Sequence, residues 1–210
     1  MMRMLPLLCT LCLGLFLGAC ASAPVPQFRL HTLEYAPPSQ DLARVPAILR
    51  VAHFGIAPEL RTPALVASRP FSRSDIPLER WRALPSELAA DFLRRDFTAS
   101  GVYTAVVEAG AYLPSDFILE GMVEEWSKRQ SAHADEARLG ITLTLVDARA
   151  PLAQAVVFQR RYDEVEPCPS PTGDGMAQAM SAAMARLSAR VQADVQAAIT
   201  ARRGLPGTQQ

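Results

Sequence analysis

Lysine is almost missing from this chain. Lys128 is the only one among 21 basic residues, and the rest are arginine. The formal net charge is +0, so no positive excess draws the chain to nucleic acid. Histidine is scarce as well. His31, His53 and His133 lie in three separate segments with no second ligand at metal spacing, and each reads as a surface or structural residue. There is no G-x-S-x-G elbow, which removes the commonest serine-hydrolase signal. Nor does any segment beyond residue 20 carry an uninterrupted apolar run long enough to cross a bilayer.

The N-terminus is where the sequence is most specific. Arg3 forms a short basic region, Leu5 to Phe16 is mostly apolar, and Leu17-Gly18-Ala19-Cys20 is a lipobox. That order of basic, apolar and small segments before a cysteine marks a bacterial lipoprotein signal, with cleavage after Ala19 and acylation of Cys20. Two or more acyl chains hold a protein on a bilayer without spanning it. Ala21, in place of an aspartate, favours the outer membrane in a proteobacterium. Of the four cysteines, Cys9 and Cys12 fall inside the signal and Cys20 is acylated, so Cys168 is left alone and no intramolecular disulfide is expected. Cys168 sits in the loop Pro167-Cys168-Pro169-Ser170-Pro171 and reads as an idle thiol.

Residues 1–19 are thus assigned to the signal, 20–26 to a lipidated tether, 27–203 to one α+β domain and 204–210 to a disordered tail. Alternation predicts strands at Phe28–Thr32, Ala47–Phe54, Ala64–Ser68, Ile76–Trp81, Val102–Val107, Phe117–Lys128, Ala137–Leu145 and Leu152–Arg160. Pro85 suits a first helical position, Ser86 is read as a cap, and Gly101 closes a helix whose wet side carries Arg94, Arg95 and Asp96. Thr172 caps a second, alanine-rich helix over 175–203. Its apolar stripe is Met180, Met184, Leu187, Val191, Val195 and Ile199. The expectation is a largely antiparallel sheet covered on one face by two helices, the C-terminal one long.

Four groupings invite a chemical reading. Gly173-Asp174-Gly175 precedes a helix but lacks the glycine and lysine that complete a phosphate loop, so it reads as an entry turn. Glu124 and Glu125 beside Trp126 superficially resemble a carbohydrate site. Neighbours on a strand face opposite ways, so the two carboxylates cannot converge unless the strand bulges. Met176, Met180 and Met184 form a helical row suited to core packing or to an adaptable apolar surface. Trp81, between a loop-rich span and a helix, either closes a core edge or anchors an interface, and is taken as the candidate partner contact.

The order of elements and several residues resemble the ABC-type transport auxiliary lipoprotein family. They are Leu17-Gly18-Ala19-Cys20, Phe28-Arg29-Leu30, Ile48-Leu49-Arg50-Val51 before Pro58, and Pro63-Ala64-Leu65-Val66 before Arg69. Glu79-Arg80-Trp81 ahead of the Leu88–Phe97 helix, and Ser100-Gly101-Val102-Tyr103 with Val106, complete the match. Glu79 stands where that family usually has histidine. The resemblance implies a non-enzymatic lipoprotein on the periplasmic face of the outer membrane, docking an MCE-domain lipid transport system. Its partners would be an MCE-domain protein and the associated ABC permease and ATPase, with no cofactor beyond the acyl chains on Cys20. A homo-oligomer stays open. So do two other classes: a lipoprotein of lipopolysaccharide assembly or secretion, and an anchored periplasmic enzyme.

Overall fold

The computed structural model describes residues 26–131 and 134–204. The signal 1–19, Cys20, nearly all of the 20–26 tether, His133 and the tail beyond 204 lie outside the described residues. The element order is β1 (Arg29–His31), β2 (Val45–Val51), β3 (Gly55–Ile56), β4 (Ala64–Arg69), β5 (Ser72–Trp81), α1 (Pro85–Ser100), β6 (Tyr103–Glu108), β7 (Phe117–Arg129), β8 (Glu136–Asp147), β9 (Val156–Pro167) and α2 (Gly173–Arg202).

The fold is α+β, as the alternation predicts. Its sheet is mixed and curls around β7. Along one side β7 pairs antiparallel with β8, from Phe117↔Asp147 to Arg129↔Glu136. Along the other it takes β2, β3 and β4 in turn, all parallel. Antiparallel pairing carries the long β7–β8–β9 ladder and the β4–β5 hairpin. The parallel pairs are short, and β1 joins β5 in one of them as an edge strand.

β8 shows the rule most simply. Ala137, Leu139, Ile141, Leu143 and Leu145 are all buried, while Arg138, Thr142 and Thr144 face outward. Phe117, Leu119 and Val123 of β7 join them, and both helices close over this face. On α2 the stripe from Met176 through Met180, Met184, Leu187, Val191 and Val195 to Ile199 has no exposed surface. The methionine row is therefore core, filling gaps beneath the helix. Thr172 caps α2, its Oγ1 accepting from Gly175 N–H at 3.1 Å. Thr172→Ala is expected to cost about 0.5–2 kcal/mol in urea unfolding. An unchanged midpoint would show that the bond contributes nothing.

Several expectations are corrected. Ser86 does not cap α1. It is buried at the second helical position, and the Glu87 carboxylate instead accepts from Leu84 N–H at 3.1 Å. Asp96 is not on the wet side but fully buried. Its Oδ2 accepts from the Tyr35 hydroxyl at 2.8 Å and the Ser188 hydroxyl at 2.7 Å, and its Oδ1 from Arg95 Nε at 2.8 Å. A buried carboxylate needs such donors, and these tie the segment after β1 to both helices. Burial, reinforced by Asp96, pushes the Tyr35 phenol well above its ordinary value. β1 presents its polar residue inward: His31 is buried, whereas Phe28 and Leu30 are exposed. β9 begins at Val156, because Leu152–Gln154 forms a single 3-10 turn with Leu152 in solvent. Strand β2 ends at Val51, though Phe54 stays buried with its ring against Gly121. Finally, the short strand expected at Ile76 is the end of a ten-residue β5.

Candidate functional site

Two polar clusters and one groove stand out. The first cluster begins at His31. Its Nε2 pairs with the Glu79 carboxylate on neighbouring β5, and its Nδ1 lies 3.5 Å from Asp174 in the first turn of α2. Arg29, two residues earlier on β1, reaches the same carboxylates at 2.8 Å for Asp174 and 3.8 Å for Glu79. Gly173 permits the close approach, since a Cβ there would lie 2.8 Å from His31 Nε2. Gly173-Asp174-Gly175 is thus an entry turn whose one acidic charge is already answered. Both imidazole nitrogens face a carboxylate, so this histidine has no nitrogen free for other work. The cluster fastens β1 to the start of α2.

The second cluster comes from the bulge on which the Glu124–Glu125 reading depended. The ladder skips between Val123↔Ile141 and Glu125↔Gly140, leaving Glu124 as the extra residue. Val123 and Trp126 both point into the core, so the two glutamates between them share the outer face. They are not free. Glu124 pairs with Arg161 and accepts from Thr142 Oγ1 at 2.9 Å, and Glu125 accepts from Arg73 at 2.9 Å. Trp126, 1% exposed on the opposite side, cannot stack on a ligand there.

Trp81 is corrected in the same way. It is buried, edge-on to Trp126 with centroids 5.7 Å apart, and no face of its ring is available to a partner. Of the two readings left open for it, closure of the core is the one the packing selects. Of the other two histidines, His53 is exposed and His133 lies outside the described residues. Among the described residues, no group of three His, Cys, Asp or Glu side chains could hold a metal ion. Nor does any described helix have the length and apolarity to cross a membrane.

Lys128 explains where the single lysine went. It is almost fully buried, its Nζ donating to Pro171 O at 2.7 Å and pairing with Asp135 at 3.0 Å. It pins the proline-rich loop onto the sheet. Cys168 in that loop is half-buried, and burial pushes its thiol above the usual value.

The groove lies at the turn between β4 and β5. It has a volume of about 520 Å³, and its walls include Arg69, Phe71, Arg73, Glu125, Arg129 and Arg138. Arg69 donates to Gln130, Arg73 to Glu125 and Arg138 to Glu136. Arg129 is exposed and makes no ion pair among the described residues. The Nε–H of Arg138 is buried without a hydrogen-bond partner. Phe71 at the turn is wholly exposed, at 109%, with φ 63°. A left-handed backbone costs a non-glycine residue about 1–2 kcal/mol, and here the residue is a large aromatic with nothing packed over it.

No protein-family model matches the chain, and no curated protein does. Solved structures do. A Xanthomonas campestris protein described as belonging to family DUF330 superposes with a TM-score of 0.74 at 18% identity, covering 85% of this chain and 99% of its own. An uncharacterised protein follows at 0.59 and 14%, covering 75% and 97%. A hypothetical protein from Chlamydia trachomatis does so at 0.56 and 10%, covering 75% and 99%. The fold is shared. At such identities the likeness carries no more than that, and the function rests on this chain's own residues.

Proposed function

We propose that this chain is a lipid-anchored protein of the bacterial envelope that assembles a machine and catalyses nothing. The observation that carries the reading is the lipobox ending at Cys20, nine residues ahead of an edge strand that opens the domain. What the domain then offers is consistent with binding. His31, Glu79 and Asp174 answer one another, and Glu124 and Glu125 are held by arginines. The hydroxyls that meet these carboxylates, Thr142 on Glu124 and the fully buried Ser127 on Glu125, bond to no imidazole. The specific role is that of the auxiliary lipoprotein on the periplasmic face of the outer membrane, holding an MCE-domain protein with its ABC permease and ATPase. The residues quoted for that family support it, Glu79-Arg80-Trp81 most of all. Anchoring raises the local concentration of the domain at the membrane, so a modest intrinsic affinity suffices for docking.

Cross-linking in intact cells followed by co-purification tests this role. An MCE-domain protein is expected among the captured partners. Capture of lipopolysaccharide-assembly or secretion proteins, with no MCE-domain protein, would overturn the role while leaving the anchor in place.

A further inference from the structure

We infer that the β4–β5 turn is a membrane-docking finger: Phe71 inserts among acyl chains while the arginine groove beside it takes the phosphate of an anionic lipid headgroup. The inference rests on the lipid-anchor reading for orientation, and on the groove itself for chemistry.

Orientation comes first. Strand β1 runs parallel to β5, with Arg29 opposite Glu79 and His31 opposite Trp81. The chain entering β1 therefore comes from the direction of Ser72, which is the end of β5 that carries the Pro70-Phe71 turn. Phe28 marks that path, its ring lying 3.6 Å beneath the Arg80 guanidinium. From Glu79 back to Ser72 is at most about 23 Å at the usual strand rise, and the irregularity in β5 at Leu78, with φ 60°, shortens it. From Cys20 to Arg29 the chain spans at most about 30 Å. That length is enough for an acylated Cys20 to reach the plane of Phe71, which lets the anchor and the turn address the same surface. Phe28 and Leu30 add exposed apolar side chains along the edge between them.

Chemistry comes second. The left-handed angle of Phe71 belongs to the two-residue Pro70-Phe71 hairpin turn, but a turn facing water has no use for a full aromatic surface in solvent. An aromatic ring fits the interface between headgroups and acyl chains. Four arginines stand around it, against the carboxylates of Glu125 and Glu136. Arg129 is unpaired among the described residues, and Arg138 holds a buried donor without an acceptor. Guanidinium groups suit phosphate geometry. An apolar tip ringed by cations matches an anionic lipid surface; a protein groove would have to supply both an apolar socket and an acidic rim.

The test uses the full, lipidated protein reconstituted into vesicles of phosphatidylcholine, with and without phosphatidylglycerol. In a Cys168→Ser background, Phe71→Cys carries an environment-sensitive fluorophore, and Leu152→Cys carries the same dye as a control. Leu152 lies in the β8–β9 turn, at the opposite end of the long strands. Nitroxide-labelled acyl chains are expected to quench the dye at position 71 and spare the dye at 152. Phosphatidylglycerol should increase the quenching, and Arg69→Ser with Arg129→Ser should abolish that increase. Palmitate labelling is measured on the same preparations. An unlabelled protein would overturn the anchor reading, with position 71 still free to report on vesicles. A labelled protein whose position 71 stays in water would overturn the finger alone. Protection of position 71 only after an MCE-domain protein is added would overturn it too, by making the turn a protein interface.

Discussion

Trp81→Ala is expected to destabilise the domain by about 3–5 kcal/mol, read as a lower urea midpoint and a lower Tm. Trp81 is 1% exposed, and its ring meets Trp126 at 83°. Such an edge-to-face pair contributes about 0.5–1.5 kcal/mol beyond the area it buries. His31 packs against the other side at 6.4 Å, so the cavity would open at the point where β1, β5 and β7 meet. Trp81→Phe retains a ring there and discards only an indole N–H that has no hydrogen-bond partner, so its cost should be clearly smaller. Any loss of partner binding in the alanine variant should then follow its loss of folded protein. An alanine variant of wild-type stability that still fails to bind would return Trp81 to the surface and contradict the packing.

The second large effect is at Cys20. Cys20→Ser, with the signal retained, is expected to abolish palmitate labelling and move the protein from the membrane to the soluble fraction. Each buried methylene contributes about 0.8 kcal/mol to the hold of an acyl chain. No described helix can replace that hold by crossing the bilayer, and docking through Phe71 is far weaker than two or three chains. Cys168 cannot substitute as the acylated residue, because it lies deep in the domain sequence and its thiol is half-buried. Cys168→Ser should accordingly leave the label unchanged. Undiminished labelling of the Cys20→Ser variant would remove the lipobox reading.

The elements with one simple period were legible in advance. β8 alternates without a break, and the α2 stripe returns every three or four residues, so solvent and core could be assigned by counting. Gly101, with φ 63°, was legible as a helix end because few other residues adopt that angle so readily. Asp96 was not legible. A charged residue next to Arg94 and Arg95 looks solvated by default, and only the Tyr35 and Ser188 hydroxyls, brought from 61 and 92 residues away, make its burial tolerable. Trp81 was ambiguous for a related reason. An aromatic at the end of a loop-rich span closes a core or faces a partner depending on whether Trp126 lies behind it.

The candidate surfaces divide along the same line. Local pattern was sufficient for the α+β class and the cap at Thr172, because each depends on residues close together in the chain. The β7 bulge was a stated condition that sequence could not resolve: whether Glu124 and Glu125 share a face depends on how β7 registers against β8. The groove was invisible. Its arginines come from β4, β5, β7 and β8, and nothing in the spacing of 69, 73, 129 and 138 relates them. They meet because β4 pairs with the end of β7 at Ser68↔Arg129, while Arg138 lies across from Ser127. Strand register is a property of pairs of segments, so it becomes definite only when the whole sheet closes on its core.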